Sequence, residues 1–103
     1  RDTREKKHSV CISGVVFQPK AKEVTVNSEK IPLTKSEYEI CEYLALHRGQ
    51  VFSREQIYEA VFGFDGESDE SVIATHVKNI RRKMTALDLT PIETVWGVGY
   101  KWV

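Results

Sequence analysis

The sequence predicts one α+β domain, in which an antiparallel four-stranded sheet precedes three helices and a closing β-hairpin. Three observations predict this order: short β-rich segments between turn residues at the start, two helix-capping motifs in the middle, and a Gly-x-Gly turn between apolar segments at the end. The 103 residues correspond to a single domain, which can bury enough surface to form a core without disulfides.

Four short segments within residues 9–33 are rich in residues that favour strands, and turn formers separate them. The segments are Val10–Ile12, Val15–Phe17, Glu23–Val26 and Lys30–Leu33. Because so little chain connects them, they predict an antiparallel meander. Pro32 has no amide hydrogen to donate, so the fourth strand should lie at an edge of the sheet or end there.

Two capping boxes predict the first two helices. In the first, the Thr34 side chain can accept from the backbone N–H of Glu37, whose carboxylate reaches back to Thr34. Gly49 should end this helix. The second box runs from Ser53 to Gln56. The apolar residues that follow at helical spacing are Tyr38, Cys41, Leu44 and Ala45 in the first helix and Ile57, Ala60 and Val61 in the second.

A third helix is predicted over about residues 69–86, beginning near Ser68 or Asp69. Its apolar residues recur every three or four positions and therefore form a stripe along one side. They are Ile73, Val77, Ile80, Met84 and Leu87, and the opposite side carries Ser71, Thr75, Lys78, Asn79 and Arg82. Two final segments around Gly97-Val98-Gly99 predict a hairpin over residues 92–103. Three helices followed by a hairpin are the layout of a winged helix-turn-helix domain.

The sequence contains no GxGxxG, P-loop or HExxH motif, so we expect neither an enzyme nor a cofactor. Cys11 and Cys41 form no CxxC pair and the three histidines show no ligand spacing, so no metal is expected. Both cysteines have apolar neighbours and are predicted to be buried, reduced core residues of a cytoplasmic protein. No apolar run approaches the ~18 residues that a membrane span needs.

The formal net charge is zero, because 15 basic residues balance 15 acidic residues. This balance conceals two segments of opposite sign: residues 63–70 hold four acids and no base, whereas residues 71–86 hold four bases and no acid. The bases are Lys78, Arg81, Arg82 and Lys83. One interpretation is structural, since such charges complement the helix macrodipole. The other is a helix face for nucleic acid, because bases hold phosphates while Asn and Thr can read base edges in the major groove.

Six motifs, in order along residues 10–103, resemble the OmpR/PhoB-type winged-helix domain of bacterial response regulators. They are Leu33-Thr34-x-x-Glu37-Tyr38-x-Ile40-Cys41-x-x-Leu44, Gly49-x-Val51, Ser53-Arg54-Glu55-Gln56-Ile57, Val61-Phe62-Gly63-Phe64, His76-Val77-x-x-Ile80-Arg81-x-Lys83-Met84 and Thr94-Val95-Trp96-Gly97-Val98-Gly99-Tyr100. The resemblance implies sequence-specific binding of double-stranded DNA in transcription regulation, with the third helix in the major groove and the hairpin wing near the minor groove.

The resemblance also implies a longer, phosphorylation-controlled protein. Residues 1–8 are polar without an apolar anchor, and we expect them to be the end of an interdomain linker, so that the domain itself spans residues 9–103. A receiver domain would precede the linker, and a sensor kinase would act on it in a phosphorelay. Such domains typically pair as dimers on tandem half-sites of DNA.

Carried over residue by residue, the helix contacts of the family fall on Thr75, His76, Lys78, Asn79 and Arg81, and the helical wheel adds Arg82. Thr75 and Asn79 would read bases, whereas Lys78, Arg81 and His76 would mainly hold phosphates. His76 lies near the edge of the apolar stripe, so a half-buried residue that is satisfied internally is an equal alternative.

On the wing, Thr94 matches a position that contacts the DNA backbone. Trp96 departs from the family, in which many members place an Arg in the minor groove; a Trp can pack on sugar or on its own domain, and Lys101 can partly substitute for the missing cation. The loop between the second and third helices, residues 62–70, touches RNA polymerase in some members. Here the corresponding residues are Phe64, Asp65, Glu67 and Asp69.

Two other classes of function stay open at this point. A winged helix can serve as a protein–protein interaction module, in which case the outer face of the third helix would meet an acidic partner. A small enzyme of an unrecognised type is the other alternative, and a deep pocket with convergent titratable groups would favour it.

Overall fold

The structure is a computed structural model that describes residues 9–63 and 69–103. The strands are β1 (Val10–Ile12), β2 (Val15–Gln18), β3 (Glu23–Val26), β4 (Glu29–Ile31), β5 (Ile92–Val95) and β6 (Gly99–Trp102). The helices are α1 (Lys35–Leu46), α2 (Arg54–Phe62) and α3 (Ser71–Thr85). Within the described residues these elements form a four-stranded antiparallel sheet, three helices and a two-stranded hairpin, which confirms the predicted fold class.

The N-terminal sheet is a meander with the strand order β1-β2-β3-β4. Residues 13–14 and 27–28 form two-residue turns between paired strands. Both residues of each turn have positive φ, at 55° and 80° in the first and 53° and 67° in the second, as a type I′ turn requires. β4 ends at Ile31, so Pro32 lies outside the ladder, as its missing amide hydrogen predicts.

Both predicted capping boxes form. The Thr34 Oγ1 atom accepts from the N–H of Glu37 at 3.2 Å, and the N–H of Thr34 donates to Glu37 Oε1 at 3.0 Å. Ser53 and Gln56 make the same exchange at 3.1 and 2.8 Å at the start of α2. A Glu and a Gln therefore perform the same capping role in one chain, because both side chains carry an oxygen that accepts a hydrogen bond.

Three details differ from the predictions. α1 ends at Leu46 rather than at Gly49. The N–H of Gly49 instead donates at 2.8 Å to the carbonyl oxygen of Trp102, the last residue of β6. Ala60 is exposed, because it lines an open groove between α1 and α2 instead of facing the core. α3 begins at Ser71, two residues after Asp69, whose carboxylate accepts hydrogen bonds from the backbone N–H and the hydroxyl of Ser71.

The hairpin packs firmly onto the rest of the domain. Trp102 is fully buried, its Nε1–H donates to Ser13 Oγ at 3.1 Å, and its ring centroid lies 5.9 Å from that of Phe17. Phe52 pairs with Tyr100 through two backbone hydrogen bonds of 2.8 and 2.9 Å. Trp102 and Phe17 are buried core residues, and Tyr100 of β6 is half-buried.

The two cysteines differ in exposure, and this corrects the prediction that both are buried. Cys41 is buried in α1, whereas Cys11 is exposed on β1, and both are free thiols. β1 is an edge strand whose residues alternate between two faces, so the half-buried Val10 and Ile12 point toward the core and Cys11 points away. Burial, with a smaller contribution from the charge of Glu37, raises the pKa of the Cys41 thiol well above its ordinary value.

Thiol labelling should therefore proceed in two separate phases. We expect a maleimide or disulfide reagent to modify Cys11 rapidly in the folded protein and Cys41 only as the domain unfolds, because the thiolate is the reacting species. Labelling with increasing urea, read by intact mass, checks this. Cys11→Ser is the matched control and should remove only the rapid phase; two equally rapid phases in native buffer would contradict the burial of Cys41.

Candidate nucleic-acid interface

The outer face of α3 presents a mixed basic and amide surface. Thr75, Lys78 and Arg82 are exposed, and Asn79 is half-buried between them. Arg82 Nη1–H donates to Asn79 Oδ1 at 3.2 Å, one turn earlier on the helix. This contact fixes the Asn79 amide with its oxygen toward Arg82. The opposite side of α3 is buried at Ile73, Val77, Ile80 and Met84, while Leu87 is half-buried just beyond the helix.

The four bases of α3 do not form one surface, because Lys83 is paired with an acidic side chain. Lys83 turns toward α1, where its Nζ lies 2.6 Å from Glu37 Oε1 and donates to the Pro32 carbonyl at 2.8 Å. Its side chain is 21% exposed and that of Glu37 only 4%, so this ion pair belongs to the interior. The acidic partner comes from another helix, which the charge pattern along α3 could not reveal.

Glu37 is the one buried charged residue among the described residues. Burial by itself would raise the pKa of this carboxyl group, but the hydrogen bond and charge of Lys83 and the backbone N–H of Thr34 outweigh it. The pKa of Glu37 is therefore lowered, and the carboxylate stays ionised at neutral pH. A smaller charge interaction with His76 also lowers the pKa of Glu37.

Arg81 turns toward the hairpin rather than toward solvent. Its Nε and Nη2 donate to the Ile92 carbonyl at 3.3 and 3.2 Å, and Nη2 also donates to Thr94 Oγ1 at 2.5 Å. The guanidinium carbon lies 5.6 Å from the centroid of the Tyr100 ring. Arg81 therefore joins α3 to both strands of the hairpin, and Lys78 and Arg82 are the α3 bases that remain exposed.

His76 is half-buried, as one of its two sequence interpretations expected. Its ring stacks on Phe62 of α2, with centroids 6.2 Å apart and an angle of 27° between the planes. The stacking places His76 at the boundary between α2 and α3. It lies one residue away from the exposed Thr75 and two away from Lys78, at the rim of the outer face.

The wing exposes apolar side chains at its tip. Trp96 is 89% exposed and Val98 is 55% exposed, so Trp96 does not pack on its own domain. Thr94 is half-buried, and Lys101 is half-buried with its Nζ 3.6 Å from Glu93 Oε1. The cation that was expected to compensate for Trp96 is therefore partly neutralised by its cross-strand neighbour.

Arg54 is a basic residue that the sequence predictions did not assign to the interface. It is exposed and lines an open cleft together with Thr94, Trp96 and Val98 of the wing. It is the first residue of α2, where the positive end of the helix macrodipole disfavours a cation. A cation at this unfavourable position was the signal in the sequence that could have indicated a role for Arg54 in the interface. The sequence predictions assigned Arg54 only to the capping box.

The acidic loop is described only at its end. Phe64, Asp65 and Glu67 lie outside the described residues. Asp69 is exposed, and its hydrogen bonds with Ser71, the first residue of α3, lower the pKa of its carboxyl group. In residues 9–63 and 69–103 no three His, Cys, Asp or Glu side chains are grouped to hold a metal. Over the same residues, no helix combines the length and apolar character needed to cross a membrane.

This fold and this exposed helix face define the class of transcription-regulating DNA-binding domains. The family model described as "Transcriptional regulatory protein, C terminal" matches residues 28–102, and the chain belongs to that OmpR/PhoB-type family. The membership confirms the resemblance drawn from the motifs. It also confirms the prediction that the chain is not an enzyme, because the family consists of regulatory DNA-binding domains.

Individual relatives agree with this assignment. The transcriptional regulatory protein SpaR of Bacillus subtilis is 50% identical over 103 residues, covering 99% of this chain and 47% of SpaR. The DNA-binding domain of CpxR from E. coli is 28% identical, covers 92% of this chain and 95% of that domain, and superimposes with a TM-score of 0.74. The DNA-binding domain of Bacillus subtilis CssR is 30% identical, covers 86% of this chain and 99% of that domain, and superimposes with a TM-score of 0.75. This chain spans about half the length of the curated relatives that it matches.

Proposed function

We propose that this chain binds double-stranded DNA sequence-specifically by placing α3 in the major groove. The exposed face of Thr75, Lys78, Asn79 and Arg82 carries this proposal, because it lies opposite the buried stripe of the same helix. In the part of the chain that the structure describes, no ion pair involves Lys78 or Arg82, so both cations are available to phosphates. An α-helix fits the major groove with such a face toward the bases.

Within this interface the residues have separate tasks. Thr75 and Asn79 read base edges, whereas Lys78 and Arg82 hold phosphates and fix the register of the helix on the duplex. His76 lies at the rim of the face, where a phosphate can reach its ring.

The wing lies near the minor groove, with Thr94 at the backbone, Trp96 against sugars and Lys101 as a weak cationic contact. Because two of the four α3 bases are held internally, non-specific binding should be weak.

For the intact protein we infer a response regulator in the cytoplasm, with residues 1–8 as linker and residues 9–103 as output domain. The response regulators among the matched relatives are about twice as long as this chain, which leaves room for an N-terminal receiver domain. A sensor kinase would phosphorylate that receiver in a phosphorelay. The output domains would then pair as a dimer on tandem half-sites, and residues 62–70, with Phe64, Asp65, Glu67 and Asp69, would contact RNA polymerase.

Charge reversal at Lys78 should sharply weaken DNA binding. We expect Lys78→Glu to lower the affinity for a duplex by about tenfold or more at physiological salt, and to reduce the salt dependence of binding, because a phosphate contact is lost and a repulsion is added. Fluorescence anisotropy with a labelled duplex, titrated at several salt concentrations, measures both quantities.

Lys20→Glu is the matched control, since Lys20 is an exposed lysine on the turn between β2 and β3, away from α3. It should change affinity only slightly. Equal effects of the two variants would show that the face is wrongly assigned. Wild-type protein without any salt-dependent affinity for duplex DNA would favour the protein–protein interaction module instead.

A further inference from the structure

The guanidinium group of Arg81 is occupied by contacts within the domain, unlike that of a side chain that is free to bind a phosphate. One edge of its guanidinium, formed by Nε and Nη2, is occupied by the Ile92 carbonyl and the Thr94 hydroxyl oxygen. Its central carbon lies over the Tyr100 ring, 5.6 Å from the ring centroid. Ile92 and Thr94 belong to β5 and Tyr100 belongs to β6, so a single side chain of α3 engages both strands of the wing.

The bond to Thr94 also determines what the Thr94 hydroxyl can do. A hydroxyl group has one hydrogen to donate and an oxygen that accepts. In this structure the oxygen accepts the Nη2–H of Arg81, so the hydroxyl hydrogen is directed elsewhere. A phosphate oxygen only accepts hydrogen bonds, and a hydroxyl whose oxygen is already engaged is therefore prepared to donate to it.

We propose that Arg81 is a positioning residue, which fixes the wing against α3 and orients the Thr94 hydroxyl to donate to a phosphate of the DNA backbone. This inference rests on the proposed DNA-binding function and changes the role that the resemblance implied for Arg81. Lys78 and Arg82 hold phosphates directly, whereas Arg81 acts through Thr94. The distance between α3 and the wing is then set by a contact within the domain, before the domain binds DNA.

The test compares Arg81→Gln with Lys78→Gln, since each variant removes one positive charge from α3. The probe is a duplex selected by the wild-type protein from a random pool, and anisotropy is measured across a salt series. We expect Lys78→Gln to lower the slope of log affinity against log salt by about 0.9, as one lost phosphate contact requires. Arg81→Gln should weaken binding about tenfold with the slope nearly unchanged. A slope reduced by about 0.9 in Arg81→Gln as well would overturn the inference.

Two substitutions at Thr94 test the relay itself. Thr94→Val removes the hydroxyl at nearly constant shape and should weaken binding about as much as Arg81→Gln, whereas Thr94→Ser keeps the hydroxyl and should retain most of the affinity. The double variant Arg81→Gln/Thr94→Val should bind no more weakly than either single variant, because both break the same contact. Fully additive losses, or equal affinities of Thr94→Val and Thr94→Ser, would contradict the relay.

Urea unfolding, followed through the buried Trp102, ensures that each variant is folded under the binding conditions. If Arg81→Gln does not fold, the comparison of Thr94→Val with Thr94→Ser still decides the role of the hydroxyl. The outcome is separate from that for the proposed function. Absence of salt-dependent binding by the wild-type protein would refute DNA binding altogether, whereas a changed slope in Arg81→Gln would refute only the positioning role.

Discussion

Replacing Gly99 by alanine is expected to lower the free energy of unfolding by about 3 kcal/mol or more. A Cβ at residue 99 would lie 1.9 Å from the carbonyl oxygen of Phe52, 2.7 Å from its carbonyl carbon and 2.8 Å from the Cα of Ser53. All three atoms belong to the backbone, so no flexible side chain can move aside. The two hydrogen bonds between Phe52 and Tyr100 would have to break or stretch, at about 1 kcal/mol each.

Gly97→Ala is the matched control, because it adds the same methyl group to the same hairpin. Gly97 has φ of 82° and no atom within 4 Å of the added Cβ, so only the backbone conformation is strained, at about 1 kcal/mol. Urea unfolding of both variants measures the difference. The interpretation fails if Gly99→Ala destabilises the domain no more than Gly97→Ala does.

Removing the charge of Lys83 is the second large change that we expect. Lys83→Met leaves the carboxylate of Glu37, which is 3% exposed, without its ion-pair partner, and should destabilise the domain by about 3 kcal/mol at neutral pH. The packing of the aliphatic stem is largely kept by methionine. The loss therefore reports the uncompensated charge rather than a cavity.

The pH dependence supplies the sharper readout. In the wild-type protein the pKa of Glu37 is lowered, so the ion pair stabilises the fold above the ordinary pKa of the carboxyl group and is lost as the pH falls through the lowered value. In Lys83→Met, burial is no longer outweighed and should raise that pKa above its ordinary value. The variant should consequently recover stability, relative to wild type, as the pH is lowered from about 7 to about 5.

Glu37→Gln/Lys83→Met is the control for this experiment. Gln can keep the capping box, as Gln56 does at the start of α2, and it carries no charge to leave unpaired. The double variant should regain most of the lost stability and show no such recovery at low pH. The double variant also serves as the reference for any pH dependence that does not come from Glu37. An equal loss of stability by Lys83→Met at both pH values would contradict a buried unpaired carboxylate.

The elements of this fold were predictable because their signals are local. Each capping box spans four consecutive residues, and the apolar stripe of α3 follows from its spacing alone. The exposure of Cys11 was predicted wrongly for a related reason. The apolar neighbours of Cys11 indicate a strand, but they do not indicate which face of the strand is buried. β1 buries only the face that carries Val10 and Ile12, so Cys11 between them points outward.

The candidate interface was predictable in its location but not in its composition. The motifs indicated α3 and the wing, and Thr75, Lys78 and Arg82 are exposed as the helical wheel suggests. Along the sequence, Arg81 and Lys83 look like two further members of the same basic group. Their side chains instead meet partners that lie 13 and 46 residues away along the chain.

The sequence by itself therefore determined the order of the elements, the family and the helix that we propose to face DNA, because spacing and capping act between residues a few positions apart. Only the tertiary structure decided which charges that helix offers. Glu37 reaches Lys83 because α1 packs against α3, and β5 reaches Arg81 because Trp102 and Phe52 hold the hairpin to the core. A net charge of zero conceals both a basic helix and an acidic loop. Packing then divides the basic helix into two bases that face outward and two that hold the domain together.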